Sequence, residues 1–168
     1  MEIYTGYFDS EIGKIKVITS QTHLLALDFV EQEEQDAIND LNPCDNRIPS
    51  ILDQTMQELE EYFEGKRKSF SIPFSLEGTE FQKKVWKALL DIPYGEVKSY
   101  LDIAKWIDNP RGVRAVGNAN NKNKISIIIP CHRVIGSNGK LVGYGGGLWR
   151  KEWLLAHERN FSKEERDR

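Results

Sequence analysis

Cysteine is scarce in this chain. The 168 residues hold two, Cys44 and Cys131, which offer neither a disulfide framework nor the paired spacing of a zinc cluster. Two such cysteines fit a reducing compartment, so a cytoplasmic location, or a nuclear one in a eukaryote, is expected. Long apolar runs are missing too. No stretch approaches the roughly 18 residues that a membrane helix needs, and the first residues lack the basic-then-apolar order of a signal peptide. Neither a membrane partner nor an export signal is therefore expected. What is present, 39% hydrophobic and 10% aromatic residues, suffices for one large or two small globular domains with a real core.

The net charge of −3 argues against nucleic acid until the chain is divided. Residues 1–78 carry 6 Lys and Arg against 16 Asp and Glu, whereas residues 79–158 carry 13 against 7. An acidic half and a basic half suggest that only the second meets phosphate, although charge runs are more often plain solvated faces.

Residues 3–8, 13–19 and 24–30 are short β-like runs between polar turns, the second with Ile15 and Val17 alternating against lysines, which predicts an antiparallel meander with one buried face. His23 sits in the second turn and reads as a turn residue. Residues 31–49 are acidic and broken by Pro43 and Pro49. A Ser-x-x-Asp cap at Ser50 and Asp53 opens a helix with the core stripe Leu52, Met56, Leu59 and Phe63, stopped by Gly65. Residues 70–78 read as a strand or linker, and charge changes sign just beyond, which places a domain boundary near residue 78.

Thr79 and Gln82 form a capping box for a second helix with Phe81, Val85, Ala88, Leu89 and Ile92 on one side. Ser99 and Asp102 cap a third, over 100–107, and a turn at 108–110 leads into a fourth over about 111–120. Two short helices around a tight turn fit a helix-turn-helix. On the fourth, Val113 and Val116 make a narrow apolar side, with Arg111, Arg114, Asn118 and Asn121 opposite. Ala115, Gly117 and Ala119 keep the surface low around Arg114. A helical glycine costs about 1 kcal/mol against alanine, so Gly117 implies either helix packing or close approach to a groove.

The run 125–129 is apolar and mostly β-branched, and predicts a buried strand that Pro130 ends. Cys131 then stands at the end of a core strand beside His132 and Arg133. A buried cysteine is often only a small hydrophobe. A reactive one needs a base or a positive field to reach its thiolate, and both neighbours qualify. Adjacent residues on extended chain face opposite ways, so Cys131 and His132 meet only through a backbone turn or a water. Residues 136–139 then read as a hairpin turn, and 143–147 as a glycine-rich loop around Tyr144 whose N–H groups can face a ligand. In a last helix over 148–158, Lys151, Leu154, Leu155 and Glu158 share one face. Glu158 needs a partner there, and His132 is available. His157 lies one residue off that face and reads as a surface or capping residue, and residues 159–168 as a charged, frayed tail.

Taken together, Pro-Cys-His-Arg-Val-Ile-Gly at 130–136, Arg-Ala-Val-Gly at 114–117, Gly-Tyr-x-Gly-Gly at 143–147 and Lys-Glu-Trp-Leu-Leu-x-His-Glu at 151–158 resemble the O6-alkylguanine-DNA alkyltransferases. The resemblance covers roughly residues 79–158. It implies an α+β protein, with an RNase H-like amino-terminal domain holding an antiparallel sheet over 1–78. A mainly helical domain with a helix-turn-helix would then fill 79–168 and bind the minor groove.

It further implies that a damaged guanine in double-stranded DNA is flipped out and its O6-alkyl group moved once, irreversibly, to Cys131. Cys131, a water, His132 and Glu158 would form the activating relay, with Asn123 bracing the turn that holds the cysteine. Tyr100 would steer the phosphate and donate to guanine N3. Arg114 would enter the base stack, within a DNA-binding face that includes Tyr100, Ala115, Gly117 and Asn118. Val134, Tyr144, Gly145 and Lys151 would line the pocket. No cofactor and no metal are expected; a monomer in solution is, with cooperative binding on DNA an open alternative. Departures from the family are Lys124, where proline often follows the bracing asparagine, and Leu101, often glycine or polar. Two other readings stay open: a non-catalytic protein that binds alkyl lesions, and a cysteine hydrolase using Cys131, His132 and Glu158.

Overall fold

The computed structural model describes residues 2–31, 34 and 48–166, and the chain divides into two compact units, Met1–Ser75 and Leu76–Arg168. Cys44 and Pro43 lie outside the described residues. No helix among the described residues is long and apolar enough to cross a membrane.

In the first unit, strands β1 (Tyr4–Ser10), β2 (Gly13–Thr19) and β3 (Leu24–Phe29) form the expected antiparallel meander in the order β1-β2-β3. Alternation puts Ile15, Val17 and Thr19 on a buried face, with Leu24 and Leu27 beside them. Helix α1 (Ser50–Phe63) covers the sheet through Leu52, Leu59, Tyr62 and Phe63. A Cβ at Gly6 would collide with Met56 and Leu52, so helix and sheet close where a side chain is missing. The expected Ser50–Asp53 cap is absent: Pro49 precedes the helix and no side chain caps it. The other end behaves as its glycine suggests. Gly65, at φ 78°, lets its own N–H and that of Lys66 return to Tyr62 and Glu61 in a Schellman turn. The segment around residues 70–78 is a single parallel bridge, Phe74 to Leu24.

In the second unit, α2 (Glu80–Leu89) and α3 (Tyr100–Trp106) each start at the expected capping box, Thr79 with Gln82 and Ser99 with Asp102. Helix α4 (Val113–Asn121) follows a tight turn and packs on both, burying Val116, Ala119 and Asn120. Trp86 Nε1 donates to the Ala119 carbonyl at 2.9 Å and ties α2 to α4.

The run 125–129 is buried but is not a strand. Ile127 takes φ +70°, and Ile128 N–H bonds back to Ser126, a tight three-residue turn rare for a β-branched residue. Pro130, at φ −80° and ψ 64°, makes a second such turn, with Cys131 N–H returning to Ile129. Cys131–Arg133 is one turn of 3₁₀ helix. Apolar content alone cannot separate a buried strand from a buried turn, which is why the expectation failed.

Beyond it, β5 (Val134–Ile135) pairs in parallel with β4 (Lys98–Ser99). The turn at 136–139 closes through Gly139 N–H to the Gly136 carbonyl, and Gly136 N–H donates to the Lys140 carbonyl, but no strand pair extends from it as in a hairpin. Helix α5 (Leu148–Arg166) continues through most of the presumed tail. His157 is likewise corrected: it is 7% exposed and stacks on Trp153.

Candidate active site

The double turn at 125–130 brings four polar side chains to one buried locus. Asn123 holds it from below: its Oδ1 accepts from Ile125 N–H at 3.0 Å, and its Nδ2 donates to the carbonyls of Ile129 at 2.9 Å and Ile125 at 3.2 Å. Cys131 emerges at the end, 5% exposed. Because the next residues wind into a 3₁₀ turn, His132 points inward rather than away, and is wholly buried.

From α5, Glu158 reaches the same place, with its Oε2 2.7 Å from His132 Nε2. Arg133, which is buried, completes the cluster: Nε lies 2.8 Å from Glu158 Oε1 and Nη2 3.1 Å from Oε2, and Nη1 donates to the Ile92 carbonyl at 2.7 Å. Burial by itself would raise the Glu158 carboxyl, but the His132 and Arg133 side chains outweigh it and hold it well below the usual carboxylate range. Burial pushes the His132 imidazole below its ordinary value. Glu158 opposes that shift, and Arg133 and Lys151 reinforce it. A neutral His132 that donates from Nε2 to Glu158 leaves Nδ1 as an acceptor, and that atom is buried with no partner among the described residues.

Two further groups are coupled electrostatically to Cys131. Tyr100, from the start of α3, donates its hydroxyl to the Val142 carbonyl at 3.0 Å. Its phenol is raised by burial and by the Cys131 charge, against an opposing hydrogen bond from Asn120. Lys151, wholly buried, donates to the carbonyls of Val142 at 3.0 Å and Gly143 at 3.2 Å, and so pins the start of the glycine-rich loop. Burial lowers its ammonium to about 8, against the pull of Cys131. Val134 is buried in β5, Tyr144 is half-buried in the loop, and Gly145 is exposed with no heavy atom within 4 Å of where a Cβ would stand.

The exposed face of α4 carries Arg114, Ala115 and Asn118, with Gly117 half-buried at its edge. At Gly117 a Cβ would lie 3.9 Å from the Tyr100 ring, ordinary contact, so packing inside the protein does not demand the glycine.

Sequence reasoning missed two residues. Asn120 belongs to neither the apolar nor the polar side read for the fourth helix, yet it is buried and donates to the Cys131 carbonyl at 3.3 Å. Arg133 was noted only as a source of positive field. Its clamp on Glu158 lay beyond sequence reach, because a buried carboxylate calls for a partner without saying how many side chains share it. Among the described residues no group of three or more His, Cys, Asp or Glu could hold a metal ion.

The family model described as "6-O-methylguanine DNA methyltransferase, DNA binding domain" matches residues 80–160, and that described as its ribonuclease-like domain matches residues 3–76. The chain is 47% identical over 159 residues to the methylated-DNA–protein-cysteine methyltransferase of Methanosarcina barkeri, covering 94% of this chain and 98% of that one. It is 41% identical over 165 residues to the constitutive protein of that name in Bacillus subtilis, covering 98% and 99%. Among solved structures it resembles the Mycobacterium tuberculosis O6-methylguanine methyltransferase, with TM-score 0.82, 42% identity and 95% and 94% coverage. It also resembles the M. tuberculosis OGT protein in complex with DNA, with TM-score 0.80, 42% identity and 92% coverage of each chain.

Proposed function

The chain belongs to the 6-O-methylguanine DNA methyltransferase family, and from that premise we propose that Cys131 is the atom that receives the alkyl group. The protein is a DNA-repair methyltransferase that moves an alkyl group from DNA to a cysteine, and DNA is its partner. The observation that carries the assignment to Cys131 is the unpartnered Nδ1 of His132, buried beside it while Glu158 holds the opposite nitrogen.

In this reading the thiol proton passes, through a water, to His132 Nδ1, and Glu158 stabilises the imidazolium that results. The sulfur attacks the alkyl carbon on guanine O6; a carbon–sulfur bond forms as the carbon–oxygen bond breaks, and the electron pair stays on O6. Tyr100 donates to N3 as that charge develops, the proton being made up from solvent or the imidazolium, and Gly145 N–H meets O6. The carbonyls of Cys131 and Val134 accept from the guanine amine, in a pocket bounded by Tyr144 and Lys151. Reaching the pocket requires the base to leave the helix. Arg114 takes its place in the stack while Ala115, Gly117 and Asn118 lie along the groove, with a monomer acting on each lesion. A thioether has no hydrolytic exit, so each molecule acts once.

Mass spectrometry after mixing with duplex DNA containing O6-methylguanine tests this. One methyl gained on Cys131, and none in Cys131→Ser, is the expected result. Binding without any mass gain, as for a protein that only marks lesions, or turnover of a small ester, as for a hydrolase, would overturn it.

A further inference from the structure

The relay proposed above has three members, yet the buried cluster has four. Arg133 belongs to no step of the transfer, yet all three of its guanidinium nitrogens are engaged. Its fork takes both oxygens of Glu158, and its third nitrogen is fixed on the Ile92 carbonyl just beyond α2. The guanidinium carbon stands 5.6 Å from the centre of the Tyr94 ring, and Gly95 N–H adds a long bond of 3.4 Å to Glu158 Oε1. So His132 shares Glu158 Oε2 with a permanent cation.

We propose that Arg133 is a positioning residue for the transfer: by neutralising Glu158 it keeps the His132 imidazole uncharged, and so able to accept the thiol proton. This rests on the function proposed above. The argument is one of charge in a closed space. With Arg133 in place, the carboxylate and guanidinium cancel, and a proton on His132 would leave one uncompensated positive charge on a side chain with no exposure. Without Arg133 the carboxylate would stand alone, and a proton on His132 would neutralise it. The imidazole would then be held as imidazolium, with no lone pair on Nδ1 for a proton to reach.

The other charged or titratable groups around His132 do not replace Arg133. Lys151, from α5, works in the same direction but is committed to two loop carbonyls. Cys131 is adjacent in the chain, the Tyr100 phenol is raised by burial and by Cys131 and so stays uncharged at neutral pH, and the Tyr94 ring packs on the guanidinium rather than on the imidazole. The direction of the His132 shift, with Arg133 among its causes, agrees with the geometry.

The test is an NMR titration of the His132 imidazole alongside the pH profile of single-turnover transfer from free O6-benzylguanine. In Arg133→Gln the imidazole should take up its proton at least about one pH unit higher than in the native protein, a tenfold change in protonation. The acid limb of the transfer rate should rise with it. Arg133→Lys keeps the charge and should keep the native limb within about half a unit, even if the rate falls with the lost fork. A native titration and limb in Arg133→Gln, with only the melting temperature lowered, would make Arg133 a structural strut and overturn the proposal. Should Arg133→Gln not fold, the lysine variant decides: a native limb supports the proposal, and a limb raised by a full unit with the charge intact overturns it. The imidazole titration needs no alkyl donor, so it can fail while the methyl gain on Cys131 stands, and the reverse.

Discussion

Glu158 and His132 are wholly buried and 2.7 Å apart, though 26 residues separate them in the chain. A buried pair of this kind is expensive to break, because the partner left behind keeps its charge or its unmet hydrogen bond. Glu158→Gln strands Arg133 without a counter-ion. It is expected to destabilise the protein by about 3–5 kcal/mol in chemical denaturation and to slow single-turnover transfer by about a hundredfold or more.

The same cluster sets a pH dependence. The Glu158 carboxyl lies below its unfolded value, so its contribution is complete above about pH 4.5 and is lost as pH falls toward the folded value. The His132 imidazole also lies below its unfolded value. Below about pH 6.5 the unfolded chain therefore binds a proton that the folded one refuses, and stability drops there as well. Denaturant midpoints should fall on acidification from pH 7 in two stages. His132→Gln should remove the first and keep the second.

Asn123 makes three bonds to the turn at 125–129, where Ile127 holds a backbone conformation unfavourable for its side chain. Asn123→Ala leaves those groups buried and unsatisfied, at about 1–3 kcal/mol each where no water enters. A loss of several kcal/mol in unfolding free energy, and transfer slowed with free base as well as with duplex DNA, is the expected pattern.

Arg114 is exposed on α4. Arg114→Ala should alter stability by less than about 0.5 kcal/mol. Repair of duplex DNA should fall far more than reaction with free benzylated guanine; equal losses would remove Arg114 from the stack.

Gly117 separates packing from recognition. Alanine fits beside the Tyr100 ring, so Gly117→Ala should hold or raise stability, by up to about 1 kcal/mol through helix propensity. If Gly117 lies along the groove as proposed, affinity for duplex DNA, measured by fluorescence anisotropy, should nevertheless fall; unchanged affinity would take Gly117 out of the DNA-binding face.

Much of this protein is written in short-range pattern. The boxes at Thr79–Gln82 and Ser99–Asp102 were legible because a cap is a bond across three residues, and the local chain alone satisfies it. The meander followed from alternation, and the shared face of Lys151, Leu154, Leu155 and Glu158 from helical spacing. The same local logic failed at Ser50, where proline precedes the helix, and at 125–129, where β-branched residues fold into turns because Asn123 supplies the bonds a strand would have taken from a neighbour. What only the tertiary structure decided are the encounters between distant segments: Arg133 on Glu158 and Ile92, and Asn120 on the Cys131 carbonyl. The sequence by itself determined the capping boxes, the meander and the shared face of the last helix, all of them relations between residues a few positions apart in the chain or along one repeating element. How a buried charge is shared among its partners depends on three-dimensional distance, and no periodicity in the chain encodes that distance.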